Sequence, residues 1–397
     1  MKKLTIFMAL LFFVGIAQAQ NLLQGRVVDE TSGAGIPFVS VGILGTNNAS
    51  VSNENGDFVL KAPTYPAKLR CSHVSYLTTD IELAEKSKTA LVIKLKPASI
   101  TLNTVTIDPY LGQRILKASL EKAKTYENTN SYINAFYRQL TTVNGKPSQI
   151  YELFYDLKWT PKRVQGWIAK QSRFAELNEP PVAFSMNNQS HLSFSFSGYL
   201  FPDRRGKFVS IVNLGDYDIN IEKYIERDDQ KIAVIVCIYK NARKDLFYTN
   251  STYYVGMDDF KIYRLENNIF NMPMRVSEAS VKLPPTITTV ATFNGIGHPI
   301  SVLESISTKM HLSLNSKSGE LNPSITSLLT VYNIDDNLKD QRFETASRRA
   351  KDRKVIESIQ YDPSFWRNNP IVKQTTLEDS FIKMMESKAA FGTMTNP

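Results

Sequence analysis

The stretch SNENGDFVL, Ser52 to Leu60, crowds amides and acids around one glycine, directly ahead of an aromatic and two branched apolar residues. Asn55-Gly56 is a hairpin dipeptide, because Asn tolerates and Gly favours the positive φ that joins two twisted strands. Asp57 is placed to accept from nearby backbone amides. A period of two then sends Phe58 and Leu60 to one face and Val59 to the other. A calcium loop would need more oxygen ligands and a bidentate acid at its last position; counted from Asn53, that place falls on Thr64. The stretch therefore reads as a turn leading into a strand.

Working outward, Leu23 to Leu95 is a series of short alternating segments broken by turn signals. LQGRVVDE, IPFVSVGIL, GDFVLKA, KLRCSHVSYL and ALVIKLK are the strands, with SGAG and NNAS among the turns. Strands at this spacing, with no helical period between them, predict a β-sandwich. Several residue groups then carry a resemblance: Gly25-Arg26-Val27-Val28-Asp29, Gly35-Ile36-Pro37, Asn53 to Phe58 and Val74-Ser75-Tyr76. Together they resemble the carboxypeptidase regulatory-like domain, a transthyretin-like sandwich common in cell-envelope proteins of Bacteroidetes. The resemblance implies a sandwich over residues 20–97.

Two relatives of that domain are excluded by counting. A zinc carboxypeptidase needs a His-x-x-Glu pair and a further His around an open metal position. His73, His191, His298 and His311 are the only histidines, and none is followed three residues later by an acid. LNTVTID, Leu102 to Asp108, resembles the segment that joins this domain to the plug of TonB-dependent receptors. The rest of the chain, however, is too short for a 22-stranded transporter barrel.

The N-terminal MKKLTIFMALLFFVGIAQAQ reads as a cleaved secretory signal over residues 1–19. It has Lys2 and Lys3, an apolar run to Ile16 and small residues at Ala17 and Ala19. The expected location is the periplasm or the outer membrane, with no transmembrane span once the signal is removed. Losing the two lysines lowers the formal charge from +9 to +7. Export and the spread of that charge exclude nucleic acid as a partner. Its one dense run lies between Lys339 and Lys354, read as a solvated face or a contact with anionic headgroups. Cys71 and Cys237 sit in strand-like runs and read as small buried thiols.

After a linker at 98–109 the period changes to about 3.6. Asp108-Pro109 reads as cap and first residue of an amphipathic helix that ends near Tyr126 and covers a sheet. Strands resume from Ile133, longer and richer in aromatics, and continue to Asp335. Thr375 and Glu378 then form a capping-box pattern ahead of a helix with Leu377, Phe381, Met384 and Met385 on one face. FYRQL, YYVGMDDFKIYRLE and YDPSFW resemble Bacteroidetes envelope proteins that join the regulatory-like domain to a β-rich C-terminal domain. That part is similar in pattern to lipoprotein carriers. The expected fold class is mainly β: a transthyretin-like sandwich, then a larger curved antiparallel sheet with a few covering helices. The β-rich domain is placed at 110–370, and a C-terminal helix and tail at 371–397.

No residue set commits the chain to a reaction. There is no G-x-S-x-G elbow, P-loop or G-x-G-x-x-G. The adjacent acids Asp258 and Asp259 suit a turn, since neighbouring residues there point apart. Cys71 and His73, two apart on a strand, would share a face, as a nucleophile and base do or as an ordinary core pair does. Tyr151, Phe154, Tyr155, Trp159 and Trp167 alternate with Lys158, Lys162, Arg163, Lys170 and Arg173. This pattern fits a glycan- or lipid-binding surface or a core with a basic outer face. The expected function is a non-catalytic envelope protein that binds or assembles, with an envelope protein, lipid or glycan as partner. No catalytic residue, cofactor or metal ligand is assigned. The alternative is a hydrolase of unfamiliar motif acting on an envelope polymer.

Overall fold

The computed structural model describes residues 22–391 except 47, 88, 103–107, 178–188, 202–206, 275, 277–278, 295–297, 318 and 348–350. The signal expected at 1–19 lies outside these residues, as do Arg348 and Arg349 of the basic run.

Seven strands build the N-terminal sandwich: β1 (Leu22–Asp29), β2 (Ser40–Ile43), β3 (Ala49–Val51), β4 (Asp57–Lys61), β5 (Ala67–His73), β6 (Tyr76–Leu83) and β7 (Leu91–Leu95). They form two sheets, β4-β1-β7 and β3-β2-β5-β6, in which only β1 and β7 run parallel. Val27, Val41, Phe58, Leu69 and Leu95 fill the space between the sheets. The period of two explains the choice: Phe58 and Leu60 enter this core, while Val59 is buried on the opposite side of β4.

The turn at Ser52 to Leu60 is as the sequence predicts, with one change of role. Asn53, not Asp57, bonds the backbone: its side-chain oxygen accepts from Asn55 N at 2.9 Å and Asp57 N at 3.0 Å. Asp57 instead faces Arg26 at 3.8 Å. Gly56 has φ +84°, and a Cβ there would meet Val27 O at 2.4 Å and Ile36 N at 2.8 Å. Replacing Gly56 with Val combines left-handed strain with a backbone clash. It should lower stability by at least about 2 kcal/mol in urea unfolding. Added calcium should leave the melting temperature of the wild type unchanged.

The second part is one 13-stranded sheet. Its strands are β8 (Ser99–Leu102), β9 (Ser131–Val143), β10 (Lys146–Thr160), β11 (Arg163–Glu176), β12 (Tyr217–Arg227), β13 (Gln230–Tyr239), β14 (Tyr248–Gly256), β15 (Ile262–Phe270), β16 (Ala279–Asn294), β17 (Val302–Ser316), β18 (Gly319–Leu321), β19 (Pro323–Ile334) and β20 (Glu344–Thr345). The order is β20-β11-β10-β9-β19-β17-β16-β15-β14-β13-β12-β8, with β18 attached to β17, and every pairing is antiparallel. The expected linker at 98–109 is therefore partly strand: Ser99–Leu102 pairs with Glu226 to Lys223 and ends the sheet.

Helices cover the inner face. α1 (Leu111–Thr125) buries Ile115, Leu116, Leu120 and Ala123 there, as its periodicity predicts. Its cap is Tyr110; Asp108 lies two residues ahead of it and accepts from Tyr110 N at 3.0 Å. α2 (Gln189–Phe196) wedges Phe194 into the same core. Between them the inner face is filled by Tyr137, Tyr151, Tyr155, Trp159 and Tyr253, each at most 1% exposed.

After the last strand, α3 (Asp352–Glu357) packs Ile356 into the inner core, and the outer face carries α4 (Pro363–Asn368) and α5 (Thr376–Ser387). The Thr375–Glu378 capping box forms, and Phe381, Ile382 and Met385 pack on Leu140 and Ile150. Ile382 takes the buried place expected for Leu377, which is largely exposed. Val372 and the last helix are thus packed onto the sheet. The sandwich docks on this face at two places. Val51 meets Phe136, Phe154 and Trp366, while Val74 and Ala98 meet Ile225, Ile232 and Val234. The opening loop helps hold it there, since the Asn53 side-chain amide donates to Lys373 O at 3.1 Å.

Candidate functional site

Between the two docking points lies a cleft of about 280 Å³, walled by β2 and β5 of the sandwich and by β12, β15, β16 and β17 of the large sheet. A strand irregularity shapes the sheet wall. On the sheet, Thr292 pairs with Ser305 and Phe293 with Leu303, so Glu304 is an extra residue in a bulge. Such bulges re-aim a side chain, and this one turns Glu304 into the cleft. On the sandwich, the β5–β6 register shifts beside Cys71 and His73, with the extra residue on β6. The two residues that alternation placed on one face are separated: Cys71 is buried in the sandwich core and His73, the last residue of β5, lines the cleft. No nucleophile–base pair forms from them. The Cys71 thiol is pushed up to about 12 by burial.

The polar groups of the cleft converge from distant segments. Burial raises the Glu304 carboxyl above its ordinary value, against the pull of the Ser40 and Thr292 hydroxyls and of the Arg227 charge. Arg227 donates from Nη2 to Gln230 Oε1 at 3.2 Å and lies 5.8 Å from the centre of the Tyr263 ring. Its Nε–H reaches no hydrogen-bond acceptor, and Asp228 stands 3.8 Å away. Asp228 is engaged by Thr78, whose hydroxyl donates at 2.8 Å. His73 is held neutral, lowered to about 3 by burial and by the charges of Arg264 and Arg227. Its Nδ1 lies 3.2 Å from Ser75 N. Arg70 is already satisfied by two bonds to Asp80, at 2.7 and 2.8 Å.

The other residues singled out by sequence lie elsewhere. Tyr151, Phe154, Tyr155, Trp159 and Trp167 are at most 5% exposed and belong to cores on the two faces of the sheet, so they form no stacking surface. Among the interleaved basic residues, Arg173 is buried beside Glu152 and Lys170 meets Asp156 at 3.2 Å. Asp259 is a turn residue that accepts from Lys261 N at 3.0 Å and from the Tyr263 hydroxyl. Cys237 lies in the large inner core, far from Cys71 in the fold, and both thiols are free.

A second polar cluster, missed in the sequence, sits inside the large domain. Asp352, fully buried, accepts from the Tyr151 hydroxyl at 3.0 Å, from Ser190 N at 3.1 Å and from the Ser190 hydroxyl. His191 Nε2 is 3.9 Å from the same carboxylate, and burial lowers the ring to about 4. Among the described residues, no group of three or more His, Cys, Asp or Glu side chains is placed to hold a metal ion.

Residues 23–107 match the family model of the CarboxypepD_reg-like domain. The N-terminal sandwich is a carboxypeptidase regulatory-like domain. That domain is non-catalytic. Its match runs beyond residue 97 and takes in the β8 strand that joins the large sheet. No curated protein matches the chain. Among solved structures, a DUF1329 family protein from Desulfovibrio piger is similar over 59% of this chain and 98% of its own, at 11% identity and a TM-score of 0.24. A protein from Bacteroides fragilis described as membrane-associated and of unknown function is similar over 79% of this chain and 97% of its own, at 8% identity and a TM-score of 0.16. At such TM-scores neither likeness bears on function. No helix among the described residues is long and apolar enough to cross a membrane.

Proposed function

We propose that this is a non-catalytic binding or assembly protein of the cell envelope, exported to the periplasm or outer membrane, that takes its partner in the cleft between the regulatory-like domain and the large sheet. The observation that carries the reading is the β17 bulge that turns Glu304 into one interdomain space with His73. Convergent polar groups and a shifted carboxyl in a cleft are the marks of a ligand site. An acyl cargo on the inner sheet face is disfavoured, because rings and helix α2 already fill it.

The second reading is a hydrolase, favoured by Ser190, His191 and Asp352 lying together. Their arrangement opposes it. Ser190 bonds the carboxylate directly, neither nitrogen of His191 finds a hydrogen-bond partner, and none of the three is more than 3% exposed. A base must reach the nucleophile's proton.

A photo-crosslinking residue at Leu44, exposed on the cleft rim, tests the binding reading in intact cells. Adducts should form with envelope material from Leu44 and not from the exposed Val212, which lies outside the cleft. Equal labelling from both positions, or none from Leu44, would remove the cleft as the binding site.

A further inference from the structure

We propose that the cleft is a saccharide subsite that holds one pyranose unit of an envelope glycan. This rests on the reading of the cleft as the binding site and names the class of its ligand.

A pyranose presents neighbouring hydroxyls, each both donor and acceptor, around an apolar ring face. Two adjacent hydroxyls are best met by an acceptor and a donor side by side, and charged side chains make the stronger bonds. The cleft supplies both. Glu304 is the acceptor, aimed outward by its bulge. Arg227 is the donor: its side chain lines the cleft and is 15% exposed, while its Nε–H is buried and faces Asp228. Both groups line the same cleft. The Asn294 amide and the Ser72 hydroxyl line the same space.

Phe38 and Tyr263 supply apolar surface along the walls. The backbone of Phe38 is held at φ +59°, a region that bulky residues rarely adopt and where strain collects at ligand clamps. A volume of about 280 Å³ is at the small end for ligand sites and suits one ring rather than a long chain.

Other ligand classes fit the same groups less well. A free anion would face the Glu304 carboxyl, and each arginine of the cleft region already has a carboxylate neighbour: Arg70 bonds Asp80, Arg264 bonds Glu266 and Arg227 stands 3.8 Å from Asp228. A metal cation would face Arg227 and Arg70 across the cleft. An acyl chain would strip water from hydroxyls and charges without replacing their bonds.

Calorimetry on the full chain with maltotriose, cellotriose and diacetylchitobiose tests the proposal. At least one should bind with a Kd of about 1 mM or tighter. Glu304→Gln should weaken that binding about tenfold or more at an unchanged melting temperature. Ser72→Trp, which fills the cleft and leaves Glu304 in place, should abolish it. No binding by any of the three sugars, or binding that survives both variants, would overturn the proposal. Adducts from Leu44 without saccharide binding would remove the saccharide and leave the cleft as a site for another partner. Loss of both would remove the site itself.

Discussion

Replacing Glu152 with Gln should destabilise the protein by about 3–5 kcal/mol in urea unfolding, because it leaves two guanidiniums buried without their carboxylate. Direct cross-strand pairing on β9, β10 and β11 sets Arg138, Glu152 and Arg173 in a row on the outer face. All three side chains are at most 7% exposed. Arg138 Nε donates to Glu152 Oε1 at 2.6 Å, and Arg173 Nε donates to the other oxygen. Burial pushes the Glu152 carboxyl up; the Arg173 and Arg138 charges and bonds outweigh it and hold it below its ordinary value. Its contribution is therefore present above the ordinary carboxylate range and is lost as pH falls through the depressed folded value.

The row is also the floor on which the C-terminal segment rests. Arg138 donates from Nη2 to Val372 O at 3.1 Å, and the Arg173 guanidinium lies 4.6 Å from the centre of the Trp366 ring. Loss of Glu152 should thus loosen α4 and α5 as well as the sheet. Replacing all three residues by apolar ones of similar volume should recover most of the loss, since the penalty comes from uncompensated charge and not from the missing attraction. A cost below about 1 kcal/mol for Glu152→Gln would show that water reaches the two arginines.

The elements that local chemistry dictates were legible. Asn55-Gly56 fixed a turn, and the 3.6 period over Ile115, Leu116, Leu120 and Ala123 fixed a helix. The run SQIYELFYDLKW reads as one of the long aromatic strands, but its burial on both faces emerges only in the sheet. Inside that run Glu152 has no local sign of burial; only pairing with Arg138 on one neighbour and Arg173 on the other makes it a core residue. The cleft was hidden for a related reason. Its residues come from segments between Phe38 and Glu304, and a register shift in β17 decides that Glu304 faces it. Cys71 and His73 share a face only while the strand lasts, and His73 ends β5, where alternation no longer fixes a side chain's direction. One local sign of the bulge was present: Val302-Leu303 sets two apolar residues in succession ahead of Glu304 in an otherwise alternating strand. The Asp352 cluster had no local sign, since its partners are 162 and 201 residues away.

Asp352→Ala should cost about 3–5 kcal/mol, because it removes three bonds to a buried carboxylate and strands their donors away from water. Asp352 opens α3, yet it serves α2: it takes the backbone N–H and the hydroxyl of Ser190 at the start of that helix, together with the Tyr151 hydroxyl from the sheet below. It is thus the tie that seats α2 against the inner face. Farther along α2, Ser193 meets the hydroxyls of Thr308 at 3.4 Å and Ser327 at 3.3 Å, and the Phe194 ring packs edge-on against Tyr155 at 5.4 Å. Asp352→Asn keeps an acceptor of the same shape and should lose only the charge assistance, about 1–2 kcal/mol. The two variants also separate the readings of function. A structural tie predicts that stability falls in the order wild type, Asn, Ala, with no turnover of chromogenic esters or glycosides by any of them. Turnover by the wild type that Asp352→Asn abolishes while the fold persists would instead make Ser190, His191 and Asp352 a catalytic group, and the non-catalytic reading would fail with it.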